Sequence, residues 1–130
     1  MSQNLEQFLG GMSPEVFLNE YWNKKPLLIK KAIAHTDQLA TPEDLFDIAQ
    51  DEKFETRMIK KTLPENLWET AFGPFGPSDL EINQQKQWTL IVHNLELYFK
   101  EFHEIKELIN FVPSWKFDDI MCTYSAQGAS

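Results

Sequence analysis

Hydrophobic and polar positions change period several times along the chain. In MSPEVFLNEYWNKKP, Phe17, Leu18, Tyr21 and Trp22 recur at i, i+1, i+4 and i+5, one face of a helix. Ser13 is a good N-cap and Pro14 suits the first helical position, so a helix is predicted from there, ended by Pro26. PLLIKKA, residues 26–32, reads as a short strand. TPEDLFDIAQDE repeats the helix-start grammar: Thr41 caps, Pro42 comes first, Glu43 and Asp44 place acid in the first turn, and Leu45, Ile48 and Ala49 form the buried stripe. FETRMIKK alternates in part, as a strand does. NLWETAFGPFGPSDL reads as an aromatic strand or hairpin arm broken by Gly73, Pro74, Gly76 and Pro77. QWTLIVHNL is the clearest strand. LELYFKEFHEIKELINF keeps close to a 3.6 period through Leu95, Tyr98, Phe99, Phe102, Ile105 and Ile109, and Pro113 ends that helix. DDIMCTYS is a last strand. Helices and strands do not alternate regularly enough for a doubly wound sheet, so the expected class is α+β.

Composition narrows the function. The 130 residues suffice for one modest domain, and 42% hydrophobic residues with 13% aromatics describe a globular chain. Ten Phe and four Trp need a sizeable core or partner surfaces to cover them. The net charge is −8, and the acid gathers in the second half: residues 1–61 carry eight Lys/Arg against ten Asp/Glu, residues 62–130 four against ten. Without a basic face, direct nucleic-acid binding is not expected. An acidic surface suits a basic partner. One cysteine, Cys122, allows no internal disulfide and fits a reducing cytoplasm. The opening residues predict no secretory signal, and no apolar run reaches membrane-spanning length.

Catalytic motifs are sparse. There is no phosphate-cradling glycine loop, no G-x-S-x-G and no H-E-x-x-H. His103 reads as a solvated helix residue, His93 as a structural strand-end residue and His35 as a loop residue. The lysines of KKPLLIKK read as solvated flanks of a strand rather than a phosphate site. Cys122 reads as a buried inert thiol. DDIMCTYS is more informative. As a strand it points Ile120, Cys122 and Tyr124 to one face and Asp119, Met121, Thr123 and Ser125 to the other. A carboxylate, a thioether and two hydroxyls along one line read either as a solvent-facing strand or as a pocket wall. In a pocket the carboxylate would grip a guanidinium bidentately.

FLNEYWNKKPLLIKKA, TRMI, FGPF, WTLIVHNL and FVPSWKFDDIMCTYSAQGAS occur in an order and at spacings that resemble one family. The chain resembles the N-terminal part of a bacterial ribosomal oxygenase, the JmjC-type, cupin-fold branch that hydroxylates an arginine of a large-subunit ribosomal protein. Tyr-Trp-x-Lys-Lys-Pro is shared with wider JmjC-like proteins. Trp88 to Leu95 taken with Trp115 to Ser125 is more specific to this branch. The resemblance implies N-terminal helices followed by the first strands of a double-stranded β-helix, residues 1–130 forming one incomplete portion of such a domain. It implies Fe(II) and 2-oxoglutarate as cofactors of the intact protein, held by a His-x-Asp…His triad. The sequence contains no His-x-Asp. The resemblance therefore implies that the triad lies beyond Ser130, and that this chain alone holds no metal and no catalytic residue and is inactive. It also implies that Asp119 and Met121 line the substrate-arginine pocket, that Thr123 and Ser125 lie towards the co-substrate, and that the intact protein is a homodimer acting on a basic ribosomal protein. Two other readings stand beside it: a non-catalytic binding or dimerisation module, and a JmjC-like oxygenase with another protein substrate.

Overall fold

The computed structural model describes residues 4–62, 64–80, 86–126 and 128. The chain forms two compact units, Met1–Leu39 with Glu96–Asp118, and Ala40–Leu95 with Asp119–Ser130.

The second unit is built on an antiparallel sheet of strands β1 (Thr56–Thr62), β2 (Leu67–Phe72), β3 (Lys86–Val92) and β4 (Cys122–Ser125), in the order β2-β1-β3-β4. Register sets which residues share a face. Met58 faces Ala71 on one side and Leu90 on the other, and Leu90 faces Tyr124. Met58, Leu90 and Val92 are fully buried and Trp88 nearly so, whereas Thr89 and Ile91 between them are only half-buried. One face of the sheet is therefore core. Full burial of such a side chain is worth about 1.5–3 kcal/mol.

Helix α3 (Pro42–Ala49) covers this core face. It starts where Thr41 and Asp44 close a capping box. It buries Leu45 and Ala49, leaves Ile48 half-buried, and sets Phe46 edge-on to Tyr124, ring centroids 5.2 Å apart. Past β2, Phe75 is buried and its N–H bonds the carbonyl of Ala49 at 2.8 Å.

The first unit holds α1 (Leu5–Phe8), α2 (Pro14–Glu20) and α4 (Lys100–Glu107). Ser13 caps α2 as expected, accepting from the Val16 N–H at 3.2 Å. Phe17 stacks on Tyr21 and meets Trp22 and Phe111 edge-on. Phe102, Ile105, Leu108 and Val112 are buried.

Four sequence expectations are corrected. First, α2 stops at Glu20, short of Pro26. Asn23 takes a left-handed φ of 58°, a conformation asparagine tolerates at helix ends. Second, residues 26–32 form no strand and pair with no strand among the described residues. Pro26 lacks an N–H, Lys31 has φ 55°, and the Lys31 carbonyl accepts a side-chain bond from Gln7 Nε2. Leu28 is 82% exposed. Third, the helix expected over 95–111 is a 3-10 turn, Leu95–Leu97, and then α4. Phe99, with φ −122° and ψ 128°, breaks the two apart. Fourth, the last strand is four residues long, starting at Cys122, so Asp119 precedes it.

Candidate functional site

The segment that leads into β4 carries the candidate residues. β4 pairs with β3 through Thr89–Ser125, Leu90–Tyr124, Ile91–Thr123 and Val92–Cys122. Cys122 and Tyr124 turn to the half-buried side, and Thr123 and Ser125 are exposed. The expected division of faces holds within the strand. Ser125 Oγ lies 3.1 Å from Thr89 Oγ1, so one of its bonds is already met across the sheet. Met121 is 57% exposed, its thioether open to solvent.

Asp119 is placed differently. Its carboxylate is tucked against the end of β3, where His93 and Asn94 turn the chain. His93 Nδ1 lies 3.0 Å from Asp119 Oδ2, and the Asn94 N–H donates to the same oxygen at 3.1 Å. A carboxylate accepts, so the pair forms in the imidazole tautomer with its N–H at Nδ1. The two side chains are 16% and 11% exposed, which shields the contact from water. Asn94 reaches this geometry with φ 58°. The turn is anchored on both sides: the His93 N–H donates to the Glu55 carbonyl at 2.9 Å, the Leu95 N–H to the Ile120 carbonyl at 3.0 Å, and Asn94 Nδ2 to Glu55 Oε2 at 3.3 Å. Asp119 is thus rigidly held, with Oδ2 engaged by two donors and Oδ1 without a hydrogen-bond partner among the described residues.

The open face of the sheet has a chemistry of its own. By register Arg57, Ile91 and Thr123 lie in one row across it, with Phe72 beyond Arg57. The Arg57 guanidinium sits 5.6 Å from the Phe72 ring centre and Lys61 Nζ 5.2 Å from that of Trp68. Phe72 and Trp68 are 68% and 61% exposed.

The remaining candidates lie apart. His103 is exposed on α4, 3.7 Å from Glu107, as a solvated helix histidine should be. His35 is in a loop with φ 56°. Cys122 is half-buried, and burial pushes its thiol pKa up against the smaller lowering by its backbone hydrogen bond at Thr123. That disfavours the thiolate a nucleophile needs. Two surface depressions of about 480 and 620 Å³ lie in the first unit, and neither is lined by Asp119, Met121, Thr123 or Ser125. Among the described residues no three His, Cys, Asp or Glu side chains gather as a metal site. The pairing of His93 with Asp119 is what sequence reasoning missed; the two stand 26 residues apart, and only strand pairing joins them.

No protein-family model matches the chain. Among solved structures it resembles that of E. coli YcfD, with a TM-score of 0.73 and 21% identity over 91% of this chain and 31% of that one. The same protein was solved with cobalt and 2-oxoglutarate, TM-score 0.72. The α+β fold of the chain is thereby that of part of the YcfD structure. Among curated proteins, a "Probable ribosomal oxygenase" from Haemophilus influenzae is 34% identical over 119 residues, covering 92% of this chain. The "Ribosomal protein uL16 3-hydroxylase" of Escherichia coli is 22% identical over 112 residues, covering 86%. The chain is similar in sequence to these two proteins, and it spans 29% of the length of each.

Proposed function

We propose that the whole protein to which this chain belongs is an Fe(II)- and 2-oxoglutarate-dependent oxygenase that hydroxylates an arginine of a large-subunit ribosomal protein, uL16 being the first candidate. The observation that carries this reading is the match, in both sequence and fold, over about nine-tenths of the chain to ribosomal oxygenases. The cobalt and 2-oxoglutarate complex of YcfD supports the cofactor assignment, cobalt standing in for iron. The net charge of −8 suits a basic ribosomal protein and gives no reason to expect direct contact with nucleic acid. The working compartment is the cytoplasm, and the whole protein acts as a homodimer.

Within that enzyme this chain supplies the substrate side. Asp119, fixed at the end of β3, meets the guanidinium. The exposed Met121 thioether packs along the aliphatic stem of the arginine. Thr123 and Ser125 continue along the same strand towards the co-substrate. Residues 1–130 are one portion of the JmjC/cupin-like domain.

The test is mass spectrometry of uL16 after incubation with the whole protein, iron, 2-oxoglutarate and oxygen. The expected result is the gain of one oxygen atom on one arginine, with no gain when the 130-residue chain is used alone. Turnover by the isolated chain would sink the assignment of catalysis to residues outside it. An unmodified uL16 in the presence of the whole protein would remove that substrate.

A further inference from the structure

We infer that His93 is a positioning residue for substrate binding: with the backbone N–H of Asn94 it occupies Oδ2 of Asp119, so that the substrate cation is met by Oδ1 alone. The inference rests on the reading that Asp119 faces the substrate arginine. It departs from the two-oxygen grip that a free carboxylate gives a guanidinium fork.

Three observations support it. Both donors go to the same oxygen, His93 Nδ1 at 3.0 Å and the Asn94 N–H at 3.1 Å, while Oδ1 has no hydrogen-bond partner among the described residues. Next, the far nitrogen of the ring, Nε2, is buried and has no partner among the described residues. Among the described residues the ring's hydrogen bond is therefore the one that Nδ1 makes to the carboxylate. Finally, the turn that carries both donors is tied to Glu55 on one side and to Ile120 on the other, so the donors cannot follow Asp119 if it rotates. The carboxylate is held in one orientation before the substrate arrives, which reduces the ordering cost of binding.

The test uses the whole protein, uL16 as substrate and three variants. Asp119→Asn probes the underlying reading and is expected to raise KM strongly. His93→Leu removes the donor and is expected to raise KM about tenfold while kcat stays within about twofold, the size of one lost bond to a charged group. His93→Asn places a side-chain N–H near the position of Nδ1 and is expected to return most of the loss. A histidine that merely holds the fold would lower kcat and thermal stability together, and asparagine would not restore KM selectively. An unchanged KM in His93→Leu, with Asp119→Asn impaired, overturns the positioning role and leaves the reading of Asp119 intact. An unchanged KM in Asp119→Asn overturns the reading itself and the inference with it.

Discussion

Gly73 stands where the chain leaves β2, and a Cβ placed on it would lie 1.8 Å from Oγ1 of Thr56 and 3.4 Å from the Phe75 ring. Thr56 is buried at the start of β1 and cannot swing its hydroxyl into water. The Gly73 N–H also donates to the Thr56 carbonyl at 3.0 Å, so the two backbones are fixed in close approach. Gly73→Ala is therefore expected to cost roughly 1–3 kcal/mol in urea unfolding, the usual scale of overpacking. Thr56→Ala in the same chain removes the clashing oxygen and should recover part of the loss, a coupling that a double-mutant cycle reads directly. An unshifted midpoint in Gly73→Ala would show that the two strands part more easily than the 3.0 Å bond implies. The sequence marks this glycine only as a turn residue beside a proline. Its second role, admitting a threonine side chain from another strand, follows from pairing that no local pattern encodes.

Helix α3 shows what local pattern does encode. Its start depends on residues three apart: the Asp44 N–H donates to Thr41 Oγ1 at 3.2 Å, and Asp44 Oδ2 accepts from the Thr41 N–H and from the Thr41 hydroxyl, both at 2.8 Å. The backbone bond, and then the hydroxyl bond, hold the Asp44 carboxyl below its ordinary value of 3.8. A lowered folded-state pKa adds stability that is fully present above the unfolded value and is lost as pH falls through the folded one. Thr41→Ala is expected to destabilise the protein by about 1 kcal/mol near neutral pH. The gap to the parent should narrow once pH drops well below 3.8, where Asp44 is protonated in both. Urea unfolding at the two pH values checks it, and a gap that widens with acid would reverse the argument. Such caps were legible because every partner lies within one helical turn. Residues 26–32 were not, because β-branched and aliphatic residues make a strand only when another strand offers its edge, and here a proline and the left-handed Lys31 prevent pairing. The long helix over 95–111 failed for a related reason: periodicity continues through Tyr98 and Phe99, but Phe99 is extended and packs on Phe102 instead, 6.3 Å between ring centres.

At the scale of the whole chain, the class and the face of the candidate site were readable and the site's support was not. Alternation alone put Thr123 and Ser125 on the exposed side of β4, where they are found. The His93 contact that fixes Asp119 depends on the register of β3 against β4, which only the folded chain supplies. That register also ranks local stability. β1 and β3 are the two inner strands, paired on both edges, and carry the fully buried Met58, Leu90 and Val92. Residues 26–32 belong to no ladder, and Leu28 is almost fully exposed. Opening free energies follow burial and backbone bonding, so amide exchange should be graded accordingly. In native-state hydrogen exchange on the 130-residue chain, the amides of Met58, Leu90 and Val92 are expected to be the slowest, and those of Leu27, Leu28 and Ile29 to exchange with little protection. Leu90→Ala, which empties a fully buried site, should cost about 2–5 kcal/mol and lower the protection of β1 and β3 by a similar amount. Equal protection at Leu28 and Leu90 would mean that residues 26–32 do find a strand partner, restoring the element that their composition first predicted. Uniformly fast exchange across β3 would mean instead that the sheet does not hold by itself, and that it alone does not set Asp119.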